Sequence, residues 1–254
     1  MYQEDRSGVG VIMKKVIIKT IAVLILVLIF LLGIFVGKKI ANDNKNNPQA
    51  YQSIKKGNNN LDNFKKQENI LFLGDSITEI YPIKEIYGTL PIVKSGVSGY
   101  KTTDILKRMD SMVYQYNPTK IFLLIGTNDY LNGSNNKTTE KLVSNIEKIV
   151  NNIRQNRKKA KIYVESIYPV NRNMDEDMVG DRDNKTITEA NKKLKNLCKE
   201  LNVIYIDMYN KLLDSDGNFD KQYTYDGLHP SSLGYAKISQ VLLPYIIGND
   251  NFIE

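Results

Sequence analysis

The sequence holds one cysteine, Cys198, among 254 residues. No intrachain disulfide can form, and no zinc site built from clustered thiolates can form either. Cys198 falls in a helical pattern over 191–201 and reads as a small core residue. Histidine is just as scarce, with His229 the single one. A metal centre built on several imidazoles is therefore excluded, and any chemistry that needs an imidazole must use His229. The net charge is +7, but the lysines are scattered among Asn and Ile. No basic helix face interleaves with aromatics, so a lysine-rich background explains the charge better than a nucleic-acid partner. Internal sequence repeats are also missing. Hydrophobic content of 42% and charged content of 25% are normal for a globular protein, so most of the chain should bury a core. The length suits one α/β domain plus some non-globular sequence.

Charge is absent over 20–36, TIAVLILVLIFLLGIFV, with Lys14, Lys15, Lys19, Lys38 and Lys39 on either side. Extended through 16–18, with Lys19 snorkelling, the segment 16–37 is long enough to cross a bilayer as a helix. A buried soluble helix is the alternative, but nothing nearby alternates to pack around it. The run is followed by Phe35, Val36, Gly37, Lys38 and Lys39, not by the small residues of a signal-peptidase site, which favours an uncleaved anchor. Residues 1–15 form a short N-terminal segment, within which Met13 is an alternative start. Positive charge on both sides barely orients the span. An N-terminal anchor followed by a whole domain usually exports that domain. The expectation is a single-pass protein of the cell membrane with an extracytoplasmic domain. Residues 38–68 are polar and without sustained period, which suits a flexible tether. A short amphipathic stretch at 61–64 interrupts it, and 249–254 form a tail.

Between 69 and 248, apolar runs alternate with helical patterns. Residues 70–73, 90–93, 120–125, 161–167 and 203–207 read as strands. Residues 102–116, 138–156, 186–201 and 231–247 carry apolar side chains at helical spacing. Strand–helix units with fully apolar strands predict an α/β domain, a parallel sheet covered on both faces with right-handed crossovers.

Open parallel sheets bind ligands beyond the carboxyl ends of their strands. Four polar motifs fall there. Gly74-Asp75-Ser76 follows the first strand and puts a serine at a helix start, where free N–H groups favour negative charge; a simple helix cap is the ordinary alternative. Ser95-Gly96-Val97-Ser98-Gly99-Tyr100 follows the second and could aim the Gly99 N–H at an oxyanion, or be a plain turn. Gly126-Thr127-Asn128-Asp129 follows the third, and the Asn128 amide carries two donors. Asp226-Gly227-Leu228-His229-Pro230 precedes the last helix and lets Asp226 hold one imidazole nitrogen while the other faces Ser76. The combination in this order is far more specific than any one part.

On these motifs the sequence resembles the SGNH (GDSL-type) hydrolase family, over roughly 70–247. GDS matches its first block, GTND its third and DGLHP its fifth. The second block departs: the family often has Asn before the first glycine and Asp after the second, where Lys94 or Ser95 and Tyr100 stand here. The resemblance implies a flavodoxin-like three-layer α/β/α sandwich with a five-stranded parallel sheet. It also implies Ser76 as nucleophile, His229 as general base and Asp226 as its orienting partner. The Ser76 N–H, Gly99 and Asn128 would form the oxyanion hole. No metal or organic cofactor is implied. The α/β-hydrolase elbow G-x-S-x-G fails at Tyr100, which leaves Ser98 a decoy.

The expected activity is hydrolysis of acyl esters through an acyl-serine, with short acyl groups on a carbohydrate or small alcohol favoured because no long apolar loop suggests a lipid tunnel. A cell-surface carbohydrate O-acyltransferase using the same triad is a second reading, and a lysophospholipase-like lipid esterase a third. Non-catalytic binding and pure anchoring are further alternatives. Segments 130–137 and 171–185 should flank the substrate, the latter as a lid or as a solvated loop.

Overall fold

Strand β1, Ile70–Gly74, is apolar throughout and buried at every position, because neighbours on both sides and layers above and below cover it. The structure, a computed structural model, describes residue 63 and residues 68–248. The expected span at 16–37, nearly all of the tether and the C-terminal tail lie outside these residues. Among the described residues no helix is long and apolar enough to cross a membrane.

In chain order the elements are β1, α1 Ser76–Glu79, α2 Ile83–Tyr87, β2 Ile92–Gly96, α3 Thr102–Lys107, α4 Met109–Met112, β3 Lys120–Leu124, α5 Asn136–Asn156, β4 Lys161–Glu165, α6 Glu176–Val179, α7 Asn184–Glu200, β5 Ile204–Ile206 and α8 Ser232–Ile247. The five strands are all parallel in the order β2-β1-β3-β4-β5. This is the flavodoxin-like order, whose switch point lies between β1 and β3.

Side-chain alternation along the strands builds two different cores. Leu71, Leu73, Ile121 and Leu123 face one way and join Ile105, Met109, Leu142, Ile146, Ile149 and Leu194 from the helices on that side. Phe72, Phe122 and Tyr163 face the other way into an aromatic layer. Phe72 meets Tyr81 at 5.5 Å between ring centroids, Phe122 stacks on Tyr163 at 4.5 Å, and Tyr81 stacks on Tyr235 of α8 at 4.7 Å. The long helices start where a side chain caps them. Asn135 accepts from the Thr138 N–H, Asp183 from Thr186 and Ser231 from Gly234.

Several element boundaries differ from the sequence expectation; the fifth strand, expected over 203–207, is Ile204–Ile206. The second strand runs over Ile92–Gly96, later than 90–93, because Leu90 and Pro91 are used up in the turn after α2. Lys94, Ser95 and Gly96 look like loop but pair with Phe72, Leu73 and Gly74. The helix expected over 102–116 breaks at Arg108 and Val113, whose ψ angles of 29° and −59° accompany φ near −130°. Ile105, Met109, Met112 and Val113 are buried all the same. Their spacing therefore reported which side faces the core, not whether the helix is continuous. The fourth strand ends at Glu165, not at 167.

Candidate active site

The first strand must turn sharply to deliver Ser76. At Gly74 an added Cβ would lie 2.3 Å from the Leu124 carbonyl oxygen and 2.3 Å from Thr78 Oγ1, so only glycine lets α1 fold back this closely. Asp75 is buried and caps α1, its Oδ1 accepting the Ile77 N–H at 3.0 Å. Burial pushes its carboxyl up to about 7, while the Ile77 N–H and the charge of Arg182 pull it partly back. Ser76 is the first residue of α1, so its own N–H has no partner inside the helix.

Ser76 Oγ lies 3.0 Å from His229 Nε2, although the two are 153 positions apart. His229 Nδ1 lies 2.7 Å from Asp226 Oδ2. Asp226 Oδ1 accepts the N–H groups of Leu228 at 2.9 Å and His229 at 2.7 Å. A carboxylate can only accept, so the imidazole proton belongs on Nδ1 and Nε2 keeps its lone pair for the serine hydroxyl. The turn that holds this pair is tightly specified. Gly227 has φ +80°, and a Cβ there would sit 2.2 Å from the Asn171 carbonyl oxygen. Thr224 Oγ1 accepts the Gly227 N–H and donates to the His229 carbonyl. Tyr235 of α8 donates to the Ile77 carbonyl at 2.7 Å, which ties the closing helix to the nucleophile's own helix.

Gly99 and Asn128 line the same cleft as Ser76 and His229. The Gly99 loop is held from below: Glu79 of α1 accepts the Ser98 N–H at 2.7 Å and also the Ser98 hydroxyl. Those bonds hold the Glu79 carboxyl below its ordinary value. Ser98 faces the cleft with its hydroxyl already committed to Glu79. Asp129 accepts the Thr102 N–H at 3.0 Å and its hydroxyl at 2.6 Å, which locks the turn after β3 to the start of α3. Asn128 Nδ2 donates to the Tyr100 carbonyl at 3.1 Å, and Arg182 donates to its Oδ1 at 2.7 Å. All five candidate residues thus converge at the β1/β3 switch point.

The cleft is shallow, about 590 Å³, and its rim comes from the two segments expected to flank a substrate. Leu131 belongs to the first; Asp175, Asp177, Met178 and Arg182 belong to the second. Leu131 and Met178 are each 41% exposed, a small apolar surface at the cleft. The second segment is more than a solvated loop. It contains α6, buries Asn171, Val179 and Arg182, and receives the Gly227 carbonyl through the Asn171 N–H at 2.8 Å. Sequence reasoning missed Arg182, because nothing in a run of charges distinguishes the one that is buried. It also missed Tyr225, 59% exposed and stacked on the His229 ring with centroids 5.9 Å apart; adjacency to Asp226 was the available signal. The arrangement can generate an alkoxide-like serine and stabilise negative charge on an oxygen bonded to the attacked carbon.

Comparison with known proteins places the chain in a family. The profile of the GDSL-like lipase/acylhydrolase family matches residues 72–237. The chain is 30% identical to platelet-activating factor acetylhydrolase IB subunit alpha2 of Homo sapiens over 192 residues, 72% of this chain and 77% of that protein. A protein from Streptococcus pneumonia, provisionally described as a platelet activating factor, has a solved structure that aligns with TM-score 0.66 at 32% identity, covering 79% of this chain and 99% of that one. An acetylxylan esterase from Geobacillus stearothermophilus shares the fold with TM-score 0.54 at 19% identity, covering 72% of this chain and 94% of that one.

Proposed function

Because the chain belongs to the GDSL-like lipase/acylhydrolase family and is an ester-hydrolysing enzyme, we propose that Ser76 is its nucleophile, His229 its general base and Asp226 the residue that orients the base. The observation that carries this reading is the 3.0 Å approach of Ser76 Oγ to His229 Nε2, with Asp226 2.7 Å behind the ring.

In the proposed reaction His229 Nε2 takes the hydroxyl proton as Ser76 Oγ bonds to the ester carbonyl carbon. The carbonyl electron pair moves onto oxygen, and the N–H groups of Ser76 and Gly99 with the Asn128 amide stabilise that charge. As the tetrahedral species collapses, the carbon–alkoxy bond breaks and the imidazolium returns its proton to the leaving alcohol. Water repeats the sequence on the acyl-serine and releases the acid. Asp226 holds the productive tautomer throughout and stabilises the imidazolium.

We assign the enzyme to short acyl groups, acetyl first, on a carbohydrate or small alcohol. Support comes from the shallow cleft of about 590 Å³, whose exposed apolar side chains Leu131 and Met178 form a small surface, and from the acetylhydrolase to which the chain is 30% identical. We also propose that residues 16–37 anchor the chain in the cell membrane, that 38–68 tether the domain and that 69–248 work outside the cytoplasm. The uninterrupted apolar run and the polar stretch after it support this.

The test is an ester panel on the full chain, from p-nitrophenyl acetate to decanoate plus an acetylated oligosaccharide, with Ser76→Ala as control. Turnover should be greatest with acetyl esters and vanish in the control. Activity that survives Ser76→Ala removes Ser76 from the mechanism, and rates that climb with chain length refute the acyl preference. Protease added to intact cells should degrade the domain; a protected domain refutes the outward orientation.

A further inference from the structure

We propose that Arg182 is the positioning residue of the oxyanion hole, fixing which way the Asn128 amide points. This inference rests on the reading of Asn128 as an oxyanion donor.

Arg182 is 3% exposed and seated on four acceptors. Its Nε donates to the Thr127 carbonyl at 3.0 Å, its Nη1 to the carbonyls of Met178 at 3.2 Å and Val179 at 2.8 Å, and its Nη2 to Asn128 Oδ1 at 2.7 Å. A guanidinium is planar and carries donors only. The Asn128 atom that faces it must therefore be the carbonyl oxygen. On the other side the amide meets the Tyr100 carbonyl, an acceptor, at 3.1 Å from Nδ2. Flipping the amide would place NH2 against N–H donors and C=O against C=O, so two hydrogen bonds would become two repulsions. The orientation is fixed from both ends, and the second N–H of Nδ2 is left for the cleft that Asn128 shares with Ser76, Gly99 and His229.

The charge matters as well as the shape. A cation bonded to Oδ1 polarises the amide and strengthens its N–H groups as donors. The same cation balances buried Asp75, the residue directly before the nucleophile. The bonds to Met178 and Val179 seat the guanidinium on the end of α6, so this end of the helix acts on the chemistry through Asn128. An arginine needed only to close that segment would be satisfied by the three carbonyls and would not have to reach Asn128.

The experiment compares wild type, Arg182→Met, Asn128→Ala and the double variant in the full chain, by steady-state hydrolysis of p-nitrophenyl acetate and by thermal melting. Arg182→Met should lower kcat by about 10- to 100-fold, with KM changed by less than about 3-fold, because the lost interaction belongs to the transition state. In the Asn128→Ala background the same substitution should lower kcat by no more than about 3-fold, whatever it does to the melting temperature. A folded Arg182→Met enzyme with wild-type kcat overturns the proposal, and so does a loss that multiplies in full with Asn128→Ala. Should Arg182→Met fail to fold, Arg182→Lys decides. It keeps a cation beside Asp75 but cannot serve four acceptors spread over a guanidinium plane. Its kcat should fall, and fall only while Asn128 is present; a wild-type kcat overturns the proposal. Turnover that survives Ser76→Ala sinks the esterase reading itself. Loss of turnover in Ser76→Ala and Asn128→Ala with a silent Arg182→Met sinks only the role of Arg182.

Discussion

Glu165 closes β4 as a carboxyl that the chemistry does not use. It is 5% exposed, and its Oε2 accepts the Tyr168 hydroxyl at 2.7 Å. Burial pushes its pKa from 4.5 up to about 7, with the Tyr168 bond pulling partly back. The groups that interact with it are the hydroxyls of Tyr81, Tyr87 and Tyr168, whose own pKa values are raised chiefly by burial and further by Glu165. Between pH 4.5 and 7 the folded state holds a proton that the unfolded state has lost, so folding is favoured in acid and that stability drains away as pH rises through 7. The full difference corresponds to about 3 kcal/mol, an upper bound on this group's share. Glu165→Gln keeps an acceptor for Tyr168 and matches the protonated acid in shape. Thermal unfolding by circular dichroism from pH 4.5 to 8 should therefore show the variant close to wild type at pH 4.5. By pH 8 it should melt higher by up to about 6–12 °C. Asp75, also raised to about 7, leaves a similar slope in both proteins and cancels in the difference. A melting difference that does not change with pH, or a variant less stable at pH 8, would refute the argument.

Asn128→Ala should lower kcat for p-nitrophenyl acetate by about 10²- to 10³-fold while the melting temperature stays within a few degrees. Asp226→Asn should cost about 10⁴ in kcat, since an amide can donate to Nδ1 and stabilise the wrong tautomer; a loss under tenfold would remove Asp226 from its role. Ser98→Ala should leave kcat within about 3-fold, because the Ser98 hydroxyl is already bonded to Glu79 and the Ser98 N–H still holds the loop to the same carboxylate. Gly227→Ala should destabilise by about 2 kcal/mol or more and depress kcat as well, because the 2.2 Å clash with Asn171 displaces the turn that carries both Asp226 and His229. A variant that melts like wild type would show that this turn relaxes freely.

Some of this architecture could be read before any coordinates and some could not, for physical reasons. Strands buried on both faces are continuous apolar runs, so ILFL and KIFLL stood out. The edge strand β2 was harder. Half of it is polar, and what makes it a strand is pairing with Phe72, Leu73 and Gly74 rather than its own composition. The breaks at Arg108 and Val113 were invisible because helical spacing survives a kink as long as the same side stays buried. The convergence of Ser76, Asp226, His229, Gly99 and Asn128 was legible because each stands in a short motif beside a turn. Arg182 was not, since burial of a guanidinium depends on carbonyls contributed by Thr127, Met178 and Val179, which no local pattern specifies.

The pairing of a serine just past the first strand with an imidazole just before the last helix has a consequence for how the protein comes into being. On the proposed mechanism the hydroxyl is synthesised 153 positions before its proton acceptor, and no nascent chain that lacks His229 can cleave an ester. On that mechanism premature termination upstream of His229 yields an inert product, and loss of α8 removes the Tyr235 hydroxyl that ties the closing helix to the helix of Ser76. Hydrolytic competence on that mechanism cannot precede the synthesis and folding of the turn that carries Asp226 and His229.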